Sequence, residues 1–372
     1  ELCAQSPALL HPNWVKHTAT GLYLDPASIK VQQYLADSIR ELCTNYAIDG
    51  IHFDDYFYPS TAPDFDADSY AASGSTISLA DWRRQNVNDL MRACYAAAHA
   101  FNVRFGVSPQ GTLSGCRDGQ YSDAALWLAK PGYCDYLIPQ LYWGLNYRKN
   151  GSDALSLGRL AAEWLSLPRT ESVQLAFGLG AYRIGDGDEG DTSGPGTEWC
   201  TGHALATQAT TLRSLGASGA ALYRYAFLFA NTLYPTLAEQ EIAALRPDFM
   251  SVTYGAGGGT SEHTVNIAAD LKKKYDVTVL THLTCVSSTR EHVAAMVKKY
   301  KDAGIENILA LRGDIPEGGA PHSDYHYAAE LVRDIKSQGD FCVGGACYPE
   351  GHVEAANKTE DILHLKEKVD AG

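Results

Sequence analysis

The chain lacks any stretch of about 18 consecutive apolar residues, so no membrane-spanning helix is predicted. It also lacks an excess of basic residues: the formal net charge is -14, which argues against nucleic acid or an anionic membrane as the main partner. Its nine cysteines are scattered and include no CxxC pair, which favours free thiols over a disulfide framework or a zinc site. We therefore expect a cytoplasmic protein, although residue 1 is Glu rather than Met and a lost export signal stays open.

Tryptophan is absent after Trp199, and this absence is part of a change in composition along the chain. Residues 1–246 contain 4 Lys and 13 Arg, whereas residues 247–372 contain 10 Lys and 3 Arg. A length of 372 residues suggests about two domains. We predict a boundary at Arg246-Pro247, and the reversed lysine-to-arginine ratio indicates a join between unrelated coding sequences.

In the first part, predicted strands and helices alternate, which favours a parallel α/β sheet of the (β/α)8 barrel type. The polar run Pro63–Ser78 is predicted to be a substrate-binding loop, and Leu79–Phe101 a long helix. Six strand units are predicted where a complete barrel has eight: Thr20–Leu24, Ile48–Asp54, Val103–Pro109, Tyr136–Trp143, Val173–Tyr182 and Gly219–Tyr225.

The stretch Asp49–Pro59, DGIHFDDYFYP, ends a predicted strand in two carboxylates and aromatic rings. His52 and Asp54 should face the opposite side from Ile51 and Phe53, because strand side chains alternate. Carboxylates at the carboxyl end of a barrel strand suit glycoside chemistry, in which acids transfer protons or attack and rings stack on sugars. The alternative is a strand-to-loop turn whose aspartates cap the next helix.

Other predicted strand ends carry side chains that would face the same mouth. Any one of them alone is more often structural, but their repetition at corresponding positions favours a substrate site. A two-carboxylate mechanism needs a partner for Asp54 about 5–5.5 Å away for retention or about 6.5–9.5 Å for inversion, and Asp55 and Glu198 are the candidates. The predicted substrate-binding residues are His52, Tyr56, Tyr58, Ser108, Gln140, Tyr142, Trp143 and Arg224, with Tyr182 at a further strand end.

The runs GLYLDP, DGIHFDDYFYP, FGVSP, CDYLIPQLYW and GALYRY, in this order, resemble the bacterial glycosyl-hydrolase-like family ten over about residues 10–246. Members of that family are barrel proteins related to glycan-cleaving enzymes, and some act on peptidoglycan strands. The resemblance implies hydrolysis of a glycan without a cofactor, with Asp54 and Asp55 as the catalytic acids. The family's first two barrel strands should precede Gly21 and have no counterpart in the sequence.

The second part repeats the parallel α/β pattern with four predicted strands, Phe249–Tyr254, Val277–Cys285, Asn307–Gly313 and Phe341–Tyr348. Its glycine-rich run Ala256–Gly259 lacks both the GxGxxG and the GK(S/T) pattern, so it is weak evidence for a phosphate site. The runs SVTYGAGG, THLTC, ALRGDIP and ACYPEGH, in this order, resemble the N-terminal half of methylenetetrahydrofolate reductase.

That family is a (β/α)8 barrel that uses FAD to reduce methylenetetrahydrofolate with a nicotinamide donor. The resemblance implies a catalytic role for Asp314, a carboxylate that tunes the flavin and helps bind folate, because charge develops on the isoalloxazine ring as hydride moves. The family's first strand, with a catalytic Glu, and the strands beyond Gly372 have no counterpart. The FAD-binding positions implied by the resemblance are Thr253, His282, Arg312, Gly313, Asp314, Tyr327, Ala328, Tyr348, His352, Asp361 and Lys368.

We interpret the sequence as two incomplete (β/α)8 barrel pieces joined in tandem, residues 1–246 and 247–372, through a fusion or a misjoined gene. The main predicted function is glycoside hydrolysis, with a reductase segment too incomplete for full turnover. Two alternatives stay open: methylenetetrahydrofolate reductase as the main function, with FAD and NAD(P)H, or a non-catalytic carbohydrate-binding barrel. We expect two separate sheets rather than a hybrid barrel in which Phe249–Tyr254 pairs with Gly219–Tyr225.

Overall fold

The chain folds into two compact units, Glu1–Leu245 and Arg246–Gly372, each with its own hydrophobic core. The computed structural model describes residues 6–191, 197–253, 261–286, 288–313, 323–348, 352 and 355–372. Asp314 and the glycine-rich run 256–259 lie outside these residues. Within the described ranges, no helix is long and apolar enough to cross a membrane.

Strands and helices alternate along most of the first unit. Its strands are β1 (Val15–Thr18), β2 (Gly21–Leu24), β3 (Gly50–Phe53), β4 (Arg104–Val107), β5 (Tyr136–Leu137), β6 (Gln174–Leu175), β7 (Phe177–Gly180) and β8 (Ala220–Tyr223). Its helices are α1 (Pro7–Leu10), α2 (Ile29–Asn45), α3 (Ala67–Ser73), α4 (Leu79–His99), α5 (Ala124–Ala129), α6 (Leu157–Leu165), α7 (Ala204–Ser214), α8 (Tyr225–Phe229) and α9 (Pro235–Ala244).

A parallel sheet occupies the centre of this unit. Strands β3 to β6 pair in parallel and in chain order, and β7 pairs in parallel with β8. Strands β6 and β7 belong to one extended stretch interrupted at Ala176, and a parallel bridge from Gln140 to Gly178 joins the two parts of the sheet. The carboxyl ends of these strands therefore lie at one edge, where barrel-type folds carry their sites. The predicted parallel α/β architecture is confirmed.

The predicted first strand, Thr20–Leu24, is not part of the parallel sheet. Strand β2 pairs antiparallel with β1, with Thr18 opposite Gly21. Gly21 has a φ of +148°, a backbone conformation that glycine adopts most readily. The sequence of β1, VKHT, has no apolar alternation, so a strand was not predicted there. The parallel part consequently has five strand positions among the described residues instead of the predicted six.

The predicted substrate-binding loop Pro63–Ser78 is not a simple loop, because it contains helix α3 and is fixed to the core. Asp66 and Arg83, both fully buried, form an ion pair in which Arg83 Nη2 lies 2.5 Å from Asp66 Oδ1. Arg83 Nε also donates to both oxygens of this carboxylate, at 3.0 and 3.1 Å. Removing one partner of such a buried pair typically costs about 3–5 kcal/mol. The segment is therefore tied to α4, whose predicted position is confirmed.

The second unit is built on a four-stranded parallel sheet. Its strands are β9 (Met250–Val252), β10 (Val279–Thr284), β11 (Asn307–Leu311) and β12 (Cys342–Gly345), in the order β12-β11-β10-β9. Its helices are α10 (Ser261–Tyr275), α11 (Arg290–Asp302), α12 (Ala328–Gln338) and α13 (Lys358–Asp370). Strand β9 pairs with β10, and β8 pairs with β7, so each sheet consists of strands from one unit.

Candidate active site and cofactor cavity

Asp54 and Asp55 follow β3 directly, at the carboxyl edge of the sheet. Asp54 is exposed, whereas Asp55 is only 5% exposed. The Asp54 carboxylate accepts a hydrogen bond from Gln140 Nε2 at 2.7 Å and one from the backbone N–H of Asp55 at 2.9 Å. Gln140 Nε2 also donates to the backbone oxygen of Ser108 at 2.9 Å, so its amide is fixed between two strand ends. Asp54 is thus held in one orientation while its carboxylate remains accessible.

The two carboxyl groups interact through their charges. Burial, first, and the negative charge of Asp54 together raise the pKa of Asp55 to about 6. Asp55 therefore holds a proton up to about pH 6. Asp55 follows Asp54 directly and is almost fully buried, and its role as the second catalytic carboxylate stays a prediction.

Glu198, the other candidate partner, has a structural role. Its two carboxylate oxygens accept the backbone N–H groups of Leu145 and Asn146, both at 3.0 Å, and burial raises its pKa. Asp188 acts similarly, because its carboxylate accepts the backbone N–H of Gly144 at 2.8 Å. These acids connect the chain after β7 to the chain after β5. The expectation that Glu198 serves as the second catalytic carboxylate is therefore not supported by its contacts.

Tyrosine rings form a cluster beside the carboxylate pair. The ring of Tyr142 stacks on Tyr223 with centroids 5.7 Å apart and meets Tyr182 edge to face at the same distance. Burial raises the pKa of Tyr142, and the negative charge of Asp54 raises it as well. Tyr223 was missed in the sequence, although it is the last residue of β8 and stands next to the predicted Arg224.

Of the two predicted tyrosines after the carboxylates, only Tyr56 is accessible. It is 79% exposed, and the charge of Asp55 raises its pKa. Tyr58 is 1% exposed, and its ring centroid lies 5.2 Å from that of Tyr121. The Cζ atom of Arg83 lies 5.4 Å from the centroid of the Tyr58 ring. The chain turns inward after Tyr56, so the prediction that Tyr58 stacks on a sugar is wrong for this structure.

The remaining predicted substrate-binding residues differ in accessibility. His52 is exposed and stacks on Tyr136 at 5.7 Å, and burial of its ring lowers its pKa. The Ser108 hydroxyl donates to the backbone oxygen of Ile138 at 2.8 Å, so it joins two strand ends. Trp143 is half-buried against the core. Arg224 is exposed, and its guanidinium lies 5.4 Å from the ring centroid of Phe227.

The second unit contains a cavity of about 600 Å³ at the carboxyl ends of its strands. Gly313, with a φ of +87°, is required there, because a Cβ atom would lie 2.6 Å from the side chain of Val286. The cavity is lined by eight of the residues predicted to bind a cofactor: Arg312, Gly313, Tyr327, Ala328, Tyr348, His352, Asp361 and Lys368.

Contacts between these residues shape the cavity wall. The backbone N–H of His352 donates to Asp361 Oδ2 at 3.1 Å, and the rings of His352 and Tyr348 meet edge to face at 4.7 Å. Lys368 Nζ donates to the backbone oxygen of Ala346 at 2.6 Å. Helix α13 is therefore fixed against the chain that follows β12, with one ammonium and several rings at the cavity.

Two other predicted cofactor residues do not line this cavity. His282 lies on β10, where its Nε2 is 2.8 Å from the Ser251 hydroxyl, and burial lowers its pKa. The backbone oxygen of Thr253 accepts from the Thr264 hydroxyl at 3.2 Å. Neither residue is among those that line the cavity, although Thr284, on the same strand as His282, is.

Comparison with known proteins assigns both parts of the chain. Residues 1–193 match the family Glycosyl hydrolase-like 10. The chain belongs to this family. Residues 231–372 match the methylenetetrahydrofolate reductase family. Both resemblances expected from the sequence are thereby confirmed: the chain contains a glycosyl hydrolase-like part and a part that matches the methylenetetrahydrofolate reductase family.

Curated relatives cover the second part. The 5,10-methylenetetrahydrofolate reductase of Pectobacterium carotovorum subsp. carotovorum is 42% identical over 143 residues, which are 38% of this chain and 46% of that protein. The enzyme of the same name from Salmonella typhimurium is 42% identical over 132 residues, or 35% and 44% of the two chains. The chain thus spans about half the length of the curated relatives it matches. Among solved structures, the PgaB glycoside hydrolase domain of Bordetella bronchiseptica is 14% identical with a TM-score of 0.38, covering 59% of this chain and 63% of that one.

The glycosyl hydrolase-like 10 match contains the carboxylate pair and most of its surroundings. Asp54, Asp55, Gln140 and Tyr142 all lie within residues 1–193. Tyr223 lies beyond the matched range, yet it is brought to the same cluster because β8 pairs with β7. The carboxyl edge of the parallel sheet, more than the matched range, therefore defines the candidate active site.

Proposed function

We propose that the glycosyl hydrolase-like 10 part of this chain hydrolyses a glycan by means of the Asp54–Asp55 pair. The observation that carries the proposal is the exposed carboxylate of Asp54 at a strand end, next to the buried carboxyl of Asp55, whose pKa is about 6. Enzymes place protonatable carboxyl groups of this kind where a leaving group needs a proton. The surrounding tyrosines Tyr56, Tyr142 and Tyr223 would stack on the sugar rings.

The pair has what the first step of hydrolysis requires. Below about pH 6 Asp55 holds a proton, which would pass by way of Asp54 to the glycosidic oxygen as the bond from this oxygen to the anomeric carbon breaks. A water molecule would add its hydroxyl to the anomeric carbon, and its remaining proton would return to the pair. Gln140 keeps Asp54 in place by donating at 2.7 Å, so we assign it a positioning role.

The test is reducing-end release from glycan strands prepared from peptidoglycan. Asp54→Asn should lower the rate by at least about 100-fold, since general acid catalysis contributes about 10²–10⁴-fold. Asp49→Asn is the matched control: Asp49 is an exposed carboxylate at the amino end of the same strand, and its replacement should leave the rate unchanged. Equal rates for wild type and Asp54→Asn would contradict the proposal. Binding of strands without any release would instead support the non-catalytic carbohydrate-binding alternative.

We also propose that the methylenetetrahydrofolate reductase part binds FAD in the cavity of the second unit. The lining residues fit this cofactor: Arg312 and Lys368 are cations for a diphosphate, and Tyr327 and Tyr348 offer rings. When bound, FAD would carry hydride from a nicotinamide to a folate substrate. Residues 1–246 and 247–372 are, in this proposal, two incomplete (β/α)8 barrels, and the second would bind the cofactor without completing the reductase turnover.

Binding is tested by titrating FAD with the full chain and following quenching of flavin fluorescence. Lys368→Ala should weaken binding about tenfold, in line with the loss of one charge-assisted hydrogen bond. Lys366→Ala is the matched control, because Lys366 lies on the same helix but pairs with Asp370 at its surface. Failure of the wild-type chain to quench flavin fluorescence would refute the proposal, as would an equal loss of affinity in both variants.

A further inference from the structure

Arg183 lies at the carboxyl end of β7, against the tyrosine cluster of the candidate active site. It is the last residue of the short turn Ala181–Arg183, which follows β7 directly. Its guanidinium lies over the ring of Tyr182, with Cζ 4.8 Å from the ring centroid. Tyr182 in turn meets Tyr142 at 5.7 Å and Tyr223 at 6.3 Å between ring centroids, both edge to face. A cation is therefore held on the ring cluster that we propose for sugar binding.

Gly180, the last residue of β7, leaves the space that this arrangement needs. A Cβ atom at Gly180 would lie 3.1 Å from Cε1 of Tyr182 and 3.3 Å from Cγ of Arg183. The same Cβ atom would lie 3.3 Å from the Cβ atom of Tyr142. All three side chains therefore converge on the end of β7, and the stem of Arg183 runs close to Tyr142 as well as to Tyr182.

The protein balances the charge of Arg183 only in part. Among the residues that the structure describes, its ion-pair partner is Glu189, 3.5 Å from Nη1, and the Glu189 side chain is 83% exposed. An ion pair with so exposed a partner contributes little. Nη1 also donates to the backbone oxygen of Gly187, at the long distance of 3.4 Å, and the buried Nε has no hydrogen-bond partner in the described part of the chain. The side chain itself is 17% exposed, so a ligand can reach the guanidinium from one side.

The other carboxylates of the loop after Arg183 are bonded to neutral donors. Asp186 accepts from a tyrosine hydroxyl at 2.9 Å, Asp188 from an indole N–H at 3.0 Å, and Asp191 from two backbone N–H groups at 2.8 and 3.0 Å. These carboxylates fix the loop. Although the loop is acidic, it supplies Arg183 with a weak counter-ion, and a carboxylate on a ligand would be a stronger one.

We propose that Arg183 binds a carboxylate carried by a sugar of the glycan, beside the bond to be cut. This inference rests on the proposed function, and it specifies the substrate as an acidic glycan. Stacking on Tyr182 uses the face of the guanidinium and leaves its edge for the parallel N–H···O bonds that a carboxylate accepts. A carboxylate fits better than a phosphate, because Asp54 and Glu189 already place negative charge at this edge of the sheet and a dianion would add more.

The experiment compares two glycan preparations in calorimetric titrations of the full chain, which carries Asp54→Asn so that strands are not cleaved. The acidic strand is prepared from peptidoglycan and freed of peptide, so that alternate sugars carry a carboxylate. The neutral strand is the same material after its carboxylates have been reduced to alcohols. The acidic strand should bind about tenfold more tightly, and Arg183→Gln should abolish this preference while leaving the affinity for the neutral strand within about twofold. Arg183→Lys should keep part of the preference, because lysine retains the charge but not the planar fork.

Arg92→Gln is the matched control. The guanidinium of Arg92, on α4, also lies over a tyrosine ring, with Cζ 5.5 Å from the ring centroid of Tyr133. Tyr133 precedes the amino end of β5, so this stacked arginine is not at the carboxyl edge of the sheet. Its replacement should leave the affinities for both strands unchanged.

Several results would overturn the inference. They are no binding of the acidic strand, equal affinities for the two strands, a preference that persists in Arg183→Gln, and a loss in Arg183→Gln that is the same for both strands. The last result would assign Arg183 to holding the loop through Gly187 and Glu189 instead of binding the ligand. If the preference is found but wild type releases no reducing ends, the carboxylate site stands and the hydrolase proposal fails. Release from both strands at equal rates, by wild type and by Arg183→Gln alone, would refute the carboxylate site and leave the hydrolase proposal standing.

Discussion

Replacing Asp55 by asparagine tests whether this carboxyl is protonated in the folded chain. Its pKa is about 6, against 3.8 for an ordinary aspartate. Between about pH 4 and 6 the folded state thus keeps a proton that the unfolded chain releases, so stability falls as the pH rises through this window. A difference of about 2 in pKa between the folded and unfolded states corresponds to about 3 kcal/mol in the free energy of unfolding.

Asparagine has the shape of the neutral acid and does not ionise. Asp55→Asn should therefore match wild type in stability near pH 4 and exceed it by up to about 3 kcal/mol near pH 7. The sign is specific: a carboxyl that is charged and stabilised in the fold would give the opposite result, with the variant less stable at neutral pH.

Urea unfolding followed by tryptophan fluorescence measures this difference. All six tryptophans lie before residue 200, so the signal reports the first unit alone. Asp37→Asn serves as the control, because Asp37 is exposed and interacts with Arg40, at 2.6 Å, and with Gln33, at 2.9 Å, on its own helix. Its effect should stay within about 0.5 kcal/mol at every pH. A difference between wild type and Asp55→Asn that is the same at pH 4 and pH 7 would refute the reasoning.

Two more predictions concern the packing around the site. Glu241→Ala should lower the free energy of unfolding of the first unit by about 1–3 kcal/mol, because the buried Glu241 carboxylate accepts the backbone N–H groups of Ala204 and Leu205 at 2.7 and 2.8 Å. Glu241→Gln should lower the free energy of unfolding by less, and the same urea titration distinguishes the two variants. Gly106→Ala should lower the free energy of unfolding by about 1–3 kcal/mol, because the new Cβ would lie 2.1 Å from the ring of Tyr136. Adding Tyr136→Leu to this variant should recover part of the lost stability. An unchanged free energy of unfolding in Gly106→Ala would contradict the described packing.

The alternation of strands and helices was predictable because apolar periodicity reports which faces are buried. Helix Leu79–His99, for example, carries its buried residues Val87, Leu90 and Cys94 at helical spacing. The hairpin of β1 and β2 was not predictable in this way. Strand β1 is short and polar, and its pairing depends on a turn whose geometry the residue pattern does not specify.

The candidate site was predicted in its location but not in its detail. A carboxyl edge of parallel strands gathers residues that are far apart in the chain, so Asp54 and Gln140 were both expected there. The inward course of the chain after Tyr56 buries Tyr58, and Asp55 is buried although Asp54 before it is exposed. These outcomes depend on the backbone path at the end of the strand, where the alternation of side chains no longer applies.

In the second unit, the resemblance to the reductase family supplied residues that no spacing rule would have selected. Eight of them line one cavity, although they come from separate segments of the chain. His282, on β10, and Thr253, just after β9, are not among the lining residues. Motif matching identifies each cofactor-binding position separately. Whether these positions meet in one cavity depends on which strands are present in the sheet.

The central claim is that the proton held by Asp55, beside Asp54, drives cleavage of a glycan. The pH dependence of kcat/KM for reducing-end release from glycan strands tests it most directly, because this parameter reports ionisations of the free enzyme. We predict that kcat/KM of the wild-type chain falls about tenfold per pH unit above about pH 6, as Asp55 loses its proton, and that no release is detected with Asp54→Asn. A rate that rises from pH 6 to pH 8, or release that persists in Asp54→Asn, would contradict the claim.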